Sequence, residues 1–315
     1  MIRTAVIGVG YLGRFHAQKY ASLPNSQLVG IADPSATARA AVAAELKVAA
    51  HEDYRDLLGK VDAVSIVTPT ALHFEVAKAF LEAGASVLVE KPMTVSIAEG
   101  EALIAIAADS KRILQVGHLE RFNAAVLAVQ PTLTVPRFIE SARLAPFKIR
   151  GTDVDVVLDL MIHDIDLILS IVRSPVVSVD AIGTSVFSNE IDIANARLRF
   201  ANGCVANATA SRVSLKTERK LRLFQDDAYL SLDLQQKILT VIRKGEGMGP
   251  DGMPQVAIDE KTYEQGDALK SEIAAFLGAV ATGQAPPVTG EDGLLALRTA
   301  VSIGEQVLSS MRKFS

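Results

Sequence analysis

The chain has 315 residues, a net charge of −4 and a pI near 5.8, so it lacks the basic field that would hold nucleic acid or an anionic membrane surface. Hydrophobic residues make up 49% of the chain, which at this length predicts two domains, and no stretch approaches the roughly 18 uninterrupted apolar residues of a membrane span. The single cysteine, Cys204, excludes an internal disulfide and, with no leader expected before the first strand, predicts a cytoplasmic protein.

Short β-branched runs alternate with helical patterns through the first 120 residues. Because strands separated by helices pair in parallel through right-handed crossovers, this order predicts a doubly wound α/β domain with helices on both faces of the sheet. Ligands of such sheets bind at the carboxyl ends of the strands. The predicted strands are residues 4–9, 27–33, 63–68, 86–91 and 112–117, and the predicted helices are residues 12–22, 35–46, 71–83 and 96–109.

A glycine motif, Gly8-Val9-Gly10-Tyr11-Leu12-Gly13, follows the first strand and opens the first helix. The first glycine permits a tight turn, the second lets a pyrophosphate approach the backbone, and the third allows close packing of helix on strand. Asp33 ends the second strand, where a carboxylate accepts hydrogen bonds from an adenosine ribose and repels a 2′-phosphate. The sequence therefore favours NAD, although NADP is not excluded because Arg39 follows nearby.

After about residue 121 the chain changes to longer strand patterns, which predict a largely antiparallel sheet. Asn202-Gly203 lies between two alternating runs and predicts a hairpin. Residues 244–266 are rich in glycine and charge and predict a mobile loop. The predicted strands are residues 137–146, 176–187, 192–200, 204–213, 219–225, 228–234 and 237–243.

Three helices are predicted in this second part of the chain. Residues 158–172 repeat apolar side chains at helical spacing, and Asp159, His163 and Asp166 share another face of that helix. Two further helices close the chain, one over residues 269–283 and one from Thr289 onward, where Thr289 and Asp292 have the spacing of a capping box.

Four polar motifs accompany the predicted elements. The first three lie at the ends of predicted strands, and the fourth lies on a predicted helix. They are Thr68-Pro69-Thr70 with His73, Glu90-Lys91-Pro92, the run GHLERFN at 117–123, and Asp159 one helical turn before His163. Together with the glycine motif, they resemble the glucose-fructose oxidoreductase, inositol dehydrogenase and rhizopine-catabolism family (Gfo/Idh/MocA), whose hallmark is the EKP segment. The order and spacing agree along nearly the whole chain.

The resemblance implies a Rossmann domain over residues 1–121 and an α+β domain with a large, open-faced, mainly antiparallel sheet over residues 122–315, whose closing helices could pack back on the first domain. It implies NAD(P) in the first domain, a sugar-like substrate in the cleft between, and a homodimer or homotetramer formed through the antiparallel sheet. Within the family, VGHLERFN and TDVDVVLDLMIHDID are similar to enzymes that act on UDP-linked amino sugars.

Oxidation of a secondary alcohol requires a base for the hydroxyl proton, and neutral imidazole has a pKa suited to that task. The family match makes His163 this base; without it, a solvent-facing Asp and His pair would be the simpler interpretation. Asp159 either holds a substrate hydroxyl or orients the imidazole. The ammonium of Lys91, at the ligand-binding edge of the sheet, would stabilise the developing alkoxide. Glu90 either positions Lys91 or faces the cofactor.

The remaining candidates line the expected binding sites. The expected cofactor contacts are Gly8, Gly10, Tyr11, Leu12, Gly13, Asp33, Thr68, Pro69, His73, Glu90 and Lys91, and the expected substrate contacts are Lys91, His118, Arg121, Asp159 and His163. His73 could instead cap its helix, and Arg121 either contacts a phosphate or pairs with Glu120. His16, His51 and Cys204 have no partners at metal-ligand spacing, so neither a metal nor cysteine chemistry is expected.

Three functions are consistent with these residues. The leading hypothesis is an NAD-dependent dehydrogenase acting on a ring hydroxyl of a UDP-N-acetylamino sugar, at position 3. The second is a dehydrogenase of the same family acting on inositol, another polyol or a free sugar. The third, from another class, is a non-catalytic dinucleotide-sensing regulator, against which the joint presence of Lys91, Asp159 and His163 argues.

Overall fold

The structure is a computed structural model that describes residues 1–148, 154–248, 253–264 and 266–314. The chain divides into two compact units. The first comprises Met1–Leu119 and Asp267–Leu295, and the second comprises Glu120–Gly266 and Ala296–Ser315.

The first unit is built on a six-stranded parallel sheet. Its strands are β1 (Ile2–Ile7), β2 (Ser26–Ala32), β3 (Ala49–His51), β4 (Ala63–Ile66), β5 (Ser86–Glu90) and β6 (Leu114–Gly117). They lie in the order β3-β2-β1-β4-β5-β6, and every pair is parallel. The doubly wound sheet predicted from the sequence is confirmed. The additional strand β3 was not predicted, because three residues carry too short a pattern to reveal a strand.

The helices of this unit begin and end where local chemistry favours it. They are α1 (Tyr11–Ser22), α2 (Ala36–Leu46), α3 (His73–Glu82), α4 (Ile97–Asp109) and α7 (Ala268–Thr282). The side chains of Ser35, Ser96 and Asp267 cap α2, α4 and α7, and α4 has a full capping box with Glu99. Gly283, with a φ of +70°, follows the last residue of α7 and caps it. Apolar side chains of α1 and α7 join those of β1 and β2 in one buried core.

The second unit contains an eight-stranded sheet. Its strands are β7 (Phe138–Leu144), β8 (Val176–Thr184), β9 (Ile193–Phe200), β10 (Val205–Ser211), β11 (Glu218–Phe224), β12 (Tyr229–Asp233), β13 (Ile238–Met248) and β14 (Pro254–Thr262). Their order is β14-β13-β12-β11-β7-β10-β9-β8, and only β7 and β10 run parallel among these pairs. The mainly antiparallel sheet is as predicted. So is the hairpin of β9 and β10, where Gly203 has a φ of +88°.

One face of this sheet is covered by helix, and the other carries polar side chains. Helix α5 spans Ala124–Val129, α6 spans Ile162–Val172 and α8 spans Gly290–Phe314. Helix α6 packs on β7 and β10. Alternate residues of β10 are buried alanines, and the neighbouring strand β9 contributes two more, so the helix can approach the sheet closely here. On the opposite face, Glu140, Asn207, Lys220 and Arg222 are among the side chains lining a shallow cleft of about 260 Å³.

The prediction of a mobile loop over residues 244–266 was wrong for most of that range. Strand β13 continues to Met248, and β14 pairs with it from Pro254 to Thr262. Arg243, Lys244 and the charged run of residues 259–261 are exposed, and Gly247, with a φ of +90°, lies within the register shift between Lys244 and Met248. Residues 249–252 and 265 lie outside the described residues. The composition typical of a loop therefore belongs to an edge hairpin with solvated side chains.

Candidate functional site

The glycine turn between β1 and α1 is shaped by its surroundings. Gly8 has a φ of +83°, and a Cβ there would lie 2.6 Å from the carbonyl oxygen of Val67. A Cβ on Gly13 would lie 1.8 Å from the carbonyl oxygen of Gly8, so the turn and the helix are in direct contact. A Cβ on Gly10, by contrast, would meet nothing within 4 Å. The open space at Gly10, the first residue before the helix, leaves its backbone accessible to a phosphate.

The side chains that follow Gly10 are exposed and include no acid in the first turn of α1. Tyr11 is 71% exposed and Leu12 is 36% exposed, so neither side chain is buried at the N-terminus of α1. The first turn of α1 carries no acidic residue that would repel an anion. The residues present therefore fit the pyrophosphate of a dinucleotide.

Asp33 braces the glycine turn from the end of β2. Its carboxylate accepts a hydrogen bond of 2.8 Å from the backbone N–H of Val9 and another of 2.8 Å from that of Ser35. Asp33 also lines a cleft of about 480 Å³, together with Gly8 and Thr68. The lining further includes Glu52, Asp53, Asp56, Glu75 and Arg55. This acidic rim favours a ribose hydroxyl over a 2′-phosphate, as predicted for NAD.

Arg39 does not offer this cleft a phosphate ligand. One guanidinium nitrogen donates to the carbonyl oxygens of Asp33 (2.7 Å) and Pro34 (2.9 Å). The other terminal nitrogen donates to Glu52 at 3.3 Å. Arg39 thus holds the turn after β2, and the signal for NADP that its position suggested is weakened.

His73 connects the loops that follow β4 and β5. Its ring is buried, with Nε2 2.9 Å from the carbonyl oxygen of Thr68 and Nδ1 3.0 Å from that of Pro92. Burial lowers the pKa of His73, against the opposing effect of these two carbonyl groups. The ring joins two strand ends in addition to starting α3, while its contact with a cofactor, like that of Pro69, stays a prediction.

The EKP segment follows β5 directly, and its glutamate has a specific partner. Glu90 Oε1 lies 3.1 Å from Nε2 of the fully buried His16, and Glu90 Oε2 accepts a hydrogen bond of 3.3 Å from the backbone N–H of Lys91. Burial would raise the pKa of Glu90, but His16 and the charge of Lys91 hold it below its ordinary value. The peptide bond from Lys91 to Pro92 is cis. No feature of the sequence indicates that His16 belongs with this segment.

Asp159 and His163, the predicted substrate-binding acid and base, belong to the second unit. Asp159 lies in a π-helical turn, Val157–Met161, that leads directly into α6, and His163 lies in the first turn of α6. The carboxylate of Asp155 caps the turn by accepting from the N–H groups of Val157 (2.8 Å) and Leu158 (2.9 Å). Both predicted side chains are half-buried. Single turns of π-helix are frequent at functional sites, which is consistent with the roles predicted for this pair.

Two neighbouring acids on α6, Asp164 and Asp166, anchor the helix. Asp164 forms two hydrogen bonds of 2.9 Å with Arg143 on β7, and Arg143 also bonds to Glu120 at 3.0 Å. Asp166 accepts two hydrogen bonds from Arg121, at 2.7 and 2.6 Å. Burial raises the pKa of Asp164, whereas the carboxylates beside Arg143 raise that of the guanidinium despite its burial. Neither Asp164 nor Arg143 belongs to a motif that could identify it from the sequence.

The remaining candidates are placed as follows. His118 is buried, and its backbone N–H donates to the carbonyl oxygen of Val116 at 2.8 Å. Cys204 is buried too, and burial raises its pKa to about 11, which leaves the thiol protonated near neutral pH. Among the described residues, no three His, Cys, Asp or Glu side chains are grouped to hold a metal ion. In the same part of the chain, no helix has both the length and the apolar character to cross a membrane.

Comparison with known proteins covers most of the chain. A family model described as "Oxidoreductase family, NAD-binding Rossmann fold" matches residues 2–118, and the model of the GFO/IDH/MocA C-terminal domain matches residues 138–231. The UDP-N-acetylglucosamine 3-dehydrogenase of Acidithiobacillus ferrooxidans is 43% identical over 303 residues, covering 96% of each chain. The inositol 2-dehydrogenase of Rhizobium meliloti is 24% identical over 316 residues, which are 95% of this chain and 94% of that one.

Solved structures agree with these relationships. The structure of the Acidithiobacillus ferrooxidans UDP-N-acetylglucosamine 3-dehydrogenase has a TM-score of 0.92 at 42% identity and covers 97% of both chains. Scyllo-inositol dehydrogenase from Lactobacillus casei, with bound NAD(H) and scyllo-inositol, has a TM-score of 0.81 at 23% identity over 98% of both chains, which shows a shared fold. The chain therefore belongs to the GFO/IDH/MocA family of oxidoreductases, and its residues 2–118 match the NAD-binding Rossmann fold of that family.

Proposed function

We propose that the protein is an NAD-dependent dehydrogenase that oxidises a ring hydroxyl of a UDP-N-acetylamino sugar, at position 3, to a ketone. The observation that carries this proposal is the 43% identity to a UDP-N-acetylglucosamine 3-dehydrogenase over 96% of each chain. The open backbone at Gly10 and the acidic cleft at Asp33 support the cofactor. The presence of Lys91, Asp159 and His163 together supports catalysis over a purely regulatory role.

In this proposal the chain's own residues manage the proton. A bound nicotinamide supplies the hydride acceptor for the carbinol carbon. His163 takes the hydroxyl proton as the carbon–hydrogen bond breaks, so that one alcohol yields one ketone, one proton and the reduced nucleotide. Lys91 donates a hydrogen bond to the oxygen while negative charge develops on it. Asp159 either binds a neighbouring substrate hydroxyl or orients the imidazole.

The test is a substrate panel followed by the absorbance of reduced nicotinamide. UDP-N-acetylglucosamine, its C4 epimer and other UDP-sugars are compared with myo- and scyllo-inositol and with free sugars, each with NAD and with NADP. We expect turnover with a UDP-N-acetylamino sugar and NAD, and identification of the 3-keto product by mass spectrometry and NMR. Turnover of the inositols alone would replace the proposal with the second candidate, which the inositol dehydrogenase relatives at 24–25% identity favour. Binding of NAD without turnover of any compound would favour the regulator.

Assembly and location are also part of the proposal. We infer a homodimer or homotetramer formed through the polar face of the large sheet, where Glu140, Glu218, Lys220 and Arg222 present both signs of charge to a second copy. Light scattering after size exclusion measures the mass directly, and a charge-reversing Arg222→Glu change should shift it toward the monomer. The single buried cysteine is consistent with action in the cytoplasm.

A further inference from the structure

His16 is buried in the middle of α1 and reaches the end of a different element, β5. Its Nε2 is 3.1 Å from Oε1 of Glu90, and the ring is fully inaccessible to solvent. The other oxygen of the same carboxylate accepts from the backbone N–H of Lys91 at 3.3 Å. One carboxylate therefore joins the helix that follows the glycine turn to the peptide of the predicted catalytic lysine.

The packing around this carboxylate leaves it little freedom. The side chain of Glu90 is 13% exposed. Gly117, at the end of β6, lies against the carboxylate, and a Cβ there would stand 3.0 Å from both Cδ and Oε1 of Glu90. Glycine at this position makes room for the carboxylate, which is then confined between α1 and β6.

The hydrogen-bonding pattern selects one form of His16. Among the described residues its buried Nδ1 has no hydrogen-bond partner, so a proton on Nδ1 would be left unsatisfied. The neutral ring with its proton on Nε2 donates to Glu90 and leaves only an acceptor unpaired. The pKa of Glu90 lies below its ordinary value, so the carboxylate is ionised near neutral pH and accepts this hydrogen bond.

The residue that follows Lys91 is held by a separate hydrogen-bond contact. His73 Nδ1 lies 3.0 Å from the carbonyl oxygen of Pro92, so buried histidines act on the residues before and after the lysine. Fixing the peptide N–H of Lys91 fixes the direction in which its Cα–Cβ bond leaves the backbone. A small error in that direction moves an ammonium group at the end of four methylenes by much more than it moves the backbone.

We propose that His16 is a positioning residue that acts through Glu90 to aim Lys91 at the reacting hydroxyl. The proposal rests on the catalytic role assigned to Lys91 under the proposed function. It also gives Glu90 a role that needs no contact with the cofactor.

The test compares three substitutions in the full-length protein. His16→Leu removes the donor at similar volume, and His16→Gln keeps an N–H near the place of Nε2. Tyr20→Phe is the matched control, because Tyr20 lies one turn further along α1, is equally buried, and donates or accepts a hydrogen bond of 2.8 Å with Ser65 on β4. For each variant, kcat, the KM of substrate, the dissociation constant of NADH and the melting temperature are measured.

We expect His16→Leu to lower kcat by about 10- to 100-fold, as expected for a misplaced catalytic group, with the NADH dissociation constant changed less than about threefold. His16→Gln should recover most of this loss. Tyr20→Phe should lower the melting temperature without lowering kcat. In a Lys91→Met background, His16→Leu should cause no further loss of the residual rate, because the group that it positions is already absent.

Several results would overturn the proposal. An unchanged kcat in His16→Leu would contradict the positioning role of His16. An equal loss of kcat in Tyr20→Phe would contradict it as well. An equal, additive loss in the Lys91→Met background would show that His16 acts by another route. If Lys91→Met itself turns over normally, the proposed role of Lys91 fails first, and this outcome is recognised before any His16 variant is made.

Discussion

The guanidinium of Arg121 forms two parallel hydrogen bonds, of 2.7 and 2.6 Å, with the carboxylate of Asp166 on α6. Asp166 is buried, and the side chain of Arg121 is 16% exposed. The sequence left two roles open for this arginine, namely a substrate phosphate and a pair with Glu120. The structure gives Arg121 a partner 45 residues away, and Glu120 pairs with Arg143, while a contact of Arg121 with substrate stays a prediction.

This relationship predicts a large effect of Arg121 on stability. Replacing Arg121 with alanine leaves the carboxylate of Asp166 buried without its partner, and such losses cost about 3–5 kcal/mol. We expect a corresponding fall in the free energy of unfolding, measured in urea. Asp166→Asn should also destabilise, and the double variant should lose less than the sum of the two. A normal stability of Arg121→Ala with a strongly raised KM would instead assign the arginine to the substrate.

The glycine turn provides a matched pair of substitutions. A methyl group on Gly13 would collide with the backbone of Gly8, whereas the same group on Gly10 meets open space at an ordinary φ of −64°. We expect Gly13→Ala to lower the melting temperature strongly. Gly10→Ala should fold normally and bind NADH more weakly, because the methyl group occupies the approach to the helix end. Normal NADH affinity in Gly10→Ala would place the pyrophosphate elsewhere.

Asp33 and Glu52 offer a second matched comparison, this time for the cofactor. Both carboxylates line the same cleft, but only Asp33 also braces the glycine turn. Since hydrogen bonds to charged groups contribute about 1.5–3 kcal/mol, Asp33→Asn should raise the NAD dissociation constant by roughly 10- to 150-fold. Glu52→Gln should change it little, and the ratio of NADP to NAD turnover should rise in Asp33→Asn. Equal effects of the two changes would assign the preference to general charge alone.

The proposed chemistry predicts separate effects on turnover and on cofactor binding. Lys91→Met and His163→Gln should each lower kcat by at least about 100-fold, the usual contribution of a positioned proton-transfer group. Both variants should still bind NADH, since neither change touches the glycine turn. The pH profile of kcat in His163→Gln should lose its limb near the histidine pKa. Retained turnover in both variants would falsify the mechanism.

Asp192 should make stability depend on pH. It is buried, accepts hydrogen bonds from three successive backbone amides and from Ser188, and pairs with Arg212 at 3.1 Å. Burial would raise the pKa of Asp192, but these hydrogen bonds hold it well below its ordinary value of 3.8. Because the folded-state pKa is lowered, the stabilisation is complete above that ordinary value and disappears as the pH falls below it.

Asp192→Asn should therefore lower the free energy of unfolding at pH 7 by about 3 kcal/mol and flatten its decline below pH 4. Urea unfolding from pH 7 to pH 3 measures both quantities. Asp226→Asn is the control, since its ion pair with Arg137 is exposed on both sides and its removal should change stability little. An Asp192 variant that keeps the wild-type pH dependence would contradict this account.

The sequence predicted the elements whose signal is local. Strands β4 and β5 are runs of apolar residues buried on both faces, and the hairpin at Asn202-Gly203 needed a turn type that these two residues favour. The capping box at Thr289 and Asp292 is also confirmed, with hydrogen bonds of 2.9 and 3.2 Å. Each of these depends on residues close together in the chain.

The features that the sequence did not predict depend on distant residues. Nothing near Arg121 identifies Asp166 as its partner, and nothing near His16 identifies Glu90, 74 residues later. Gly117 is explained only once the carboxylate beside it is known. The hairpin of β13 and β14 was missed because its composition is that of a loop while its pairing is set by a neighbouring strand. Tertiary contacts decided these cases.

The π-helical turn at Val157–Met161 determines how the residues before it are oriented around the axis of α6. A regular α-helix advances 100° per residue, so the additional residue in this turn places everything before it out of phase with α6. Deleting one residue between Asp159 and α6 would leave α6 on its two anchoring arginines, yet shorten the separation of Asp159 and His163 by one residue, which is about 100° around the axis of a regular helix. The relative orientation of this pair thus depends on helix phase, and a shortening by a single codon would turn the two side chains apart while also displacing Val157 and Met161, which are buried in the core beneath them.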